Sequence, residues 1–73
     1  MTLTGTQQRF IALHVHQRVD RWQWHFRETQ LRATAERGCA TIWRDELVAL
    51  VEQQLVELRH GMVLVTKTGR AQV

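Results

Sequence analysis

Nine arginines and one lysine, Lys67, carry the positive charge of this chain, and the chemistry that such side chains do best is anion recognition. Seven carboxylates oppose them, which leaves a formal net charge of +3. The excess is uneven. Arg9, Arg18, Arg21, Arg27, Arg32 and Arg37 face only Asp20, Glu28 and Glu36 in residues 1–38, whereas residues 39–73 balance. Such an imbalance suits phosphate partners, and Arg32 and Arg37 are candidate contacts within the basic half. Other chemistry finds less support. His14, His16, His25, His60 and Cys39 could ligate a metal. His14 and His16 are two residues apart, however, and would leave a helix in different directions. There is no Cys-x-x-Cys or His-x-x-x-His pair, so no metal site is expected. His14 reads as half-buried on a helix flank and His60 as a turn residue. A nucleophilic Cys39 would need a base and an orienting group. None is signalled, so Cys39 reads as a small buried thiol and the chain as neither an enzyme nor a cofactor protein. Trp22, Trp24 and Phe26 could stack unpaired bases. Core packing or an interface is the expected role for these three.

The elements that must position these residues follow from periodicity. Thr4 or Thr6 can cap a first helix. Ile11, Val15, Val19, Trp22 and Phe26 then recur at helical spacing, widened by Phe10, Ala12 and Leu13. Asp20 with Gln23 fits a capping box, and Val19 with Trp24 fits the hydrophobic staple. These signals predict a first helix over residues 6–18 and a second starting between Asp20 and Thr29 and ending at Gly38, although one unbroken helix is an alternative. Trp22, Trp24 and Phe26 also alternate as a short strand would. Thr41 can cap a helix running to Gln54, with Ile42, Trp43, Leu47, Leu50 and Val51 as its buried stripe, widened by Val48. A hairpin follows around His60-Gly61. Its register sets Arg59 against Met62, Leu58 against Val63, Glu57 against Leu64 and Val56 against Val65.

The closing part of the chain resembles the C-terminal half of winged-helix regulators of the MarR and PadR type. The junction is Val51-Glu52-Gln53-Gln54-Leu55-Val56 and the closing element is Val65-Thr66-Lys67-Thr68-Gly69-Arg70, so the resemblance covers residues 41–70. It implies an α+β winged helix-turn-helix: three helices followed by a two-stranded β-hairpin wing, in a single domain over residues 1–73. It also implies a recognition helix with Thr41 and Arg44 near its exposed first turn, a wing tip at Arg59, His60 and Gly61, an exit from the wing shaped by Thr66 and Gly69, and Lys67 and Arg70 near phosphates. The families' usual glycine at the end of that helix is Gln54 here. Asp45, Glu46 and Glu52 on the exposed side of the helix would repel DNA.

The resulting expectation is a small transcriptional regulator that binds double-stranded DNA without a cofactor. Arg44 would pair with guanine in the major groove, and the hairpin over 55–66 would contact backbone or minor groove through Arg59 or His60. Arg44 could instead be a solvated side chain with an intrahelical partner. The alternative is a winged-helix-like protein-interaction module, such as a phage or mobile-element inhibitor or adaptor, with Trp22, Trp24 and Phe26 at its interface. Seventy-three residues bury a small core, which favours a homodimer over a monomer. The lone thiol and the uncharged Met-Thr-Leu-Thr-Gly-Thr start suggest a cytoplasmic setting. No apolar run approaches the ~20 residues of a membrane span.

Overall fold

The computed structural model describes residues 2–73. Its elements run in the order α1 (Gly5–His16), β1 (Val19–His25), β2 (Gln30–Ala35), β3 (Gly38–Trp43), α2 (Arg44–Glu52), β4 (Val56–Arg59), β5 (Met62–Val65) and α3 (Lys67–Arg70). Strands β1, β2 and β3 form an antiparallel meander, and β4 and β5 form a separate two-stranded hairpin. This corrects the expected fold class. The chain is α+β, but a three-stranded sheet stands where a second helix and the start of a third were expected. No described helix is long and apolar enough to cross a membrane.

Helix α1 begins as its sequence suggests. The Thr4 hydroxyl accepts from the Gln7 backbone N–H (3.1 Å), while the Gln7 side-chain carbonyl accepts from the Thr4 N–H (2.9 Å). This reciprocal pair satisfies two donors that the first turn would otherwise leave open. Gln7 is buried, and its amide donates to the Glu46 carbonyl at 3.0 Å, which ties α1 to α2. Phe10 and Ile11 on α1 are fully buried, together with Ile42, Leu47, Leu50 and Val56. The core therefore lies between α1, the inner face of the meander, α2 and the hairpin.

The meander replaces the expected helix because strand periodicity, not helical periodicity, settles where residues 19–43 can bury apolar surface. Leu31, Ala33 and Ala35 alternate with Arg32 and Thr34, and the first three are buried. The helical spacing of Val15, Val19, Trp22 and Phe26 is a coincidence of two elements, since α1 stops at His16. Phe26, Arg27 and Glu28 all take positive φ (51°, 56° and 67°) and turn the chain from β1 into β2. Gly38 opens β3 instead of ending a helix. The Arg37 N–H donates to the Gln17 side chain at 3.1 Å, which fastens the second turn to the end of α1.

Helix α2 is shorter than expected. It starts at Arg44, with Trp43 at the capping position and no side-chain cap. Leu47 and Leu50 are buried as expected, but Val48 and Val51 are exposed and Ile42 reaches the core from β3. At the far end Gln54 adopts φ 61°. The Leu55 N–H donates to the Leu50 carbonyl (2.9 Å) and the Gln54 N–H to the Val51 carbonyl (3.0 Å). These two bonds define a Schellman ending, with glutamine in the left-handed position usually held by glycine.

The hairpin has the expected register at all four pairs. His60 and Gly61 form its turn with φ 53° and 74°, the left-handed pair that a two-residue connection needs. Val56 and Val63 face the core, whereas Leu58, paired directly with Val63, stays exposed. The closing Thr66 caps α3 by accepting from the Gly69 N–H (3.1 Å). The same hydroxyl donates to the Gln54 carbonyl (2.6 Å), so it joins the exit of the hairpin to the end of α2.

Candidate nucleic-acid interface

The expected contact residues do not form one recognition surface. Thr41 is a half-buried strand residue in β3 and caps no helix. Arg44 is the exposed first residue of α2, and its backbone N–H donates to the Thr29 carbonyl (2.9 Å). Arg59 ends β4 beside Glu57 at 3.6 Å, in a solvated pair worth little. His60 lies at the hairpin tip, and Lys67 and Arg70 are exposed on α3. Arg32 lies in the middle of β2, and Arg37 lies in the β2–β3 turn. The expected DNA-reading helix from Thr41 is therefore replaced by a strand end and a helix whose first turn carries Asp45 and Glu46.

A different surface emerges from the strand register. Antiparallel partners directly opposite each other share a face, and faces alternate along each strand. Leu31 pairs with Trp24 and Ile42, and Ala33 with Trp22 and Ala40, which marks the inner face. The outer face then holds three rows. Arg21, Thr34 and Cys39 form the first, Gln23, Arg32 and Thr41 the second, and His25, Gln30 and Trp43 the third. None of these nine positions is a carboxylate. Arg21, Gln23 and Arg32 are exposed. Cys39 is exposed too, not buried as expected.

Arg21 and Arg32 occupy diagonal positions on neighbouring strands, a separation of about 7–8 Å between backbones. Among the described residues the Arg59–Glu57 contact is the one ion pair, so neither arginine is neutralised by a carboxylate. Two adjacent uncompensated cations repel each other, and an anion bound between them relieves that repulsion. Asp20, the nearest acid in sequence, falls at the bulge where the β1 ladder shifts. It lines a groove with His14, Trp22 and Arg70 instead of joining the outer face. Arg27 and Arg37 extend the cationic character into the two turns, where Glu28 and Glu36 accompany them. Arg21 and Gln23 are not among the expected contacts, because a helix starting between Asp20 and Thr29 and ending at Gly38 puts Arg32 on a different element from a strand at residues 19–25; the period-two alternation of residues 30–35 is the signal that finds the face.

The tryptophan cluster divides. Trp22 is half-buried against the core, and its indole N–H donates to His14 Nε2 at 3.1 Å. His14 is half-buried on the helix flank, as expected, with Nδ1 2.8 Å from the Phe10 carbonyl. Indole nitrogen only donates, so His14 Nε2 must accept and the proton sits on Nδ1. Trp24 and Phe26 remain exposed, Phe26 at 73%. Burial lowers the His14 pKa from its ordinary 6.5, opposed by the bond to Phe10. The folded state thus binds fewer protons at this site than the unfolded chain. The stability due to His14 is complete above about pH 6.5, falls as pH drops through the window below it and levels off beneath the folded-state pKa. The expected result is a lower urea midpoint at pH 5.5 than at pH 7.5, with the difference reduced in His14→Gln.

No family model, no curated protein and no solved structure matches this chain.

Proposed function

We propose that this protein binds duplex DNA and does so through the outer face of the β1–β2–β3 sheet. The observation that carries this reading is the composition of that face: two unpaired arginines flanked by amides and hydroxyls, with no carboxylate at any of nine positions. Arginines supply the cations that displace condensed counterions from phosphates, and Gln23, Gln30, Thr34 and Thr41 supply further donors. Helix α2 is the poorer candidate because Asp45 and Glu46 occupy its first turn.

Fluorescence anisotropy with a labelled duplex tests the proposal directly. Neutralising two phosphates gives a slope near −2 in log K against log salt, or a loss of about 12-fold between 50 and 200 mM salt. An absence of binding at 50 mM salt would rule the reading out. A protein-interaction module is the second reading, favoured by Val48, Val51 and Leu58, which leave apolar surface exposed on α2 and the hairpin (Leu58 at 54%). Under that reading the salt series shows no duplex binding.

A further inference from the structure

Resting on the DNA-binding reading above, we infer that the sheet lies in the major groove and reads sequence there, with Arg21 and Arg32 directed to guanine and Gln23 to a neighbouring base. Shape is the first argument. Strands β1 and β2, which carry Arg21, Gln23 and Arg32, make a two-stranded ribbon with backbones about 4.8 Å apart, the β-structure that a major groove admits. The major groove of B-form DNA is about 12 Å wide, whereas the minor groove, at about 6 Å, is too narrow. The deep, narrow major groove of A-form RNA excludes the same surface. Single strands are bound largely by aromatic stacking, yet the central row is Gln23, Arg32 and Thr41, and the aromatic residues His25 and Trp43 stand at the two corners of one end.

Chemistry is the second argument. Both outer-face cations here are arginines, whose planar fork pairs with phosphate and also with the O6 and N7 acceptors of guanine; the amide beside them is the group that phosphate alone does not use. Gln23 stands directly opposite Arg32. Its amide offers a donor and an acceptor together, the combination that adenine presents in reverse at N6 and N7. Phosphate accepts hydrogen bonds and offers no donor, so the amide acceptor gains a partner only at a base edge. With no carboxylate on the face, cytosine N4 finds no charged acceptor, which tilts the contacts towards purines.

Selection from a random duplex library tests this inference with the whole protein. The expected enriched site contains at least one guanine essential for binding. Replacing that guanine with 7-deazaguanine, which keeps base pairing but lacks the N7 acceptor, should weaken binding about five- to a hundredfold. Arg21→Lys and Arg32→Lys keep the charge and lie at exposed positions. Each should lose preference for the selected site over random duplex, with circular dichroism confirming the fold. Enrichment without guanine, or indifference to 7-deazaguanine, overturns the inference while leaving duplex binding intact. Tighter binding to single-stranded DNA or RNA also overturns it. Failure to bind any duplex at low salt removes the proposed function, and the base-reading inference falls with it.

Discussion

Gly69→Ala should destabilise the protein by about 3 kcal/mol or more, the upper range for forcing atoms into a packed site. A Cβ at this position would collide with the Leu55 carbonyl oxygen and stand 3.0 Å from its carbon and 2.9 Å from Val65 Cγ1. A side chain can rotate away, but a backbone carbonyl cannot. The Leu55 carbonyl is also held in place, because it accepts from the Thr66 N–H at 3.0 Å. Relief would require α3 to move off the hairpin and break the Thr66 cap. For a domain of this size each kcal/mol shifts the melting temperature by about 4–8 °C, so a fall of at least about 12 °C is expected. Gly61→Ala is the comparison. Gly61 needs positive φ but has open space around it, so its loss should stay near 1–2 kcal/mol. Thermal melts followed by circular dichroism distinguish the two, and a Gly69→Ala melt within a few degrees of the parent would refute the packing argument.

Reversing both outer-face arginines, in Arg21→Glu with Arg32→Glu, should weaken duplex binding by at least about thirtyfold. Removing an arginine that contacts a base costs about 1–3 kcal/mol, so the pair accounts for roughly 2 kcal/mol at the low end. Introducing carboxylates beside phosphates adds repulsion to that loss. The variant should also show a shallower salt dependence, because fewer counterions are released. Both positions are exposed, so folding should persist. Arg59→Glu on the hairpin serves as the contrast. If it weakened binding as much as the double change, the contact surface would lie on the hairpin and not on the sheet.

The hairpin was readable residue by residue. The β-forming pairs around His60-Gly61 admit one register that buries Val56 and Val63, and the chain adopts it. Thr4 and Thr6 were both possible caps for the first helix, and the structure uses Thr4, whose capping box is completed by Gln7 three residues later. The resemblance implied that Thr66 and Gly69 shape the exit from a wing; in the structure Thr66 caps α3 and Gly69 packs against the Leu55 carbonyl.

Residues 19–43 were not readable in the same way. Their content of Ala, Arg, Glu and Gln favours helix intrinsically, and Val15, Val19, Trp22 and Phe26 fall at helical spacing by accident. The strands are stabilised instead by tertiary packing, in which Ala33 and Ala35 bury small side chains on the inner face. The turn at Phe26-Arg27-Glu28 lacks the glycine or asparagine that usually marks positive φ. Once this segment is misassigned, the arginine face vanishes from view, because Arg21, Gln23 and Arg32 share a side only in a pleated sheet.

The meander is a continuous stretch from Val19 to Trp43, and none of its nine outward positions belongs to the buried cluster. Its inward residues anchor it to the rest of the molecule. Substitutions on the outside therefore change the surface that the protein presents at little expense to its folding. Such a scaffold separates the residues that hold the fold from those that face outward, and it offers a protein engineer a ready surface to randomise.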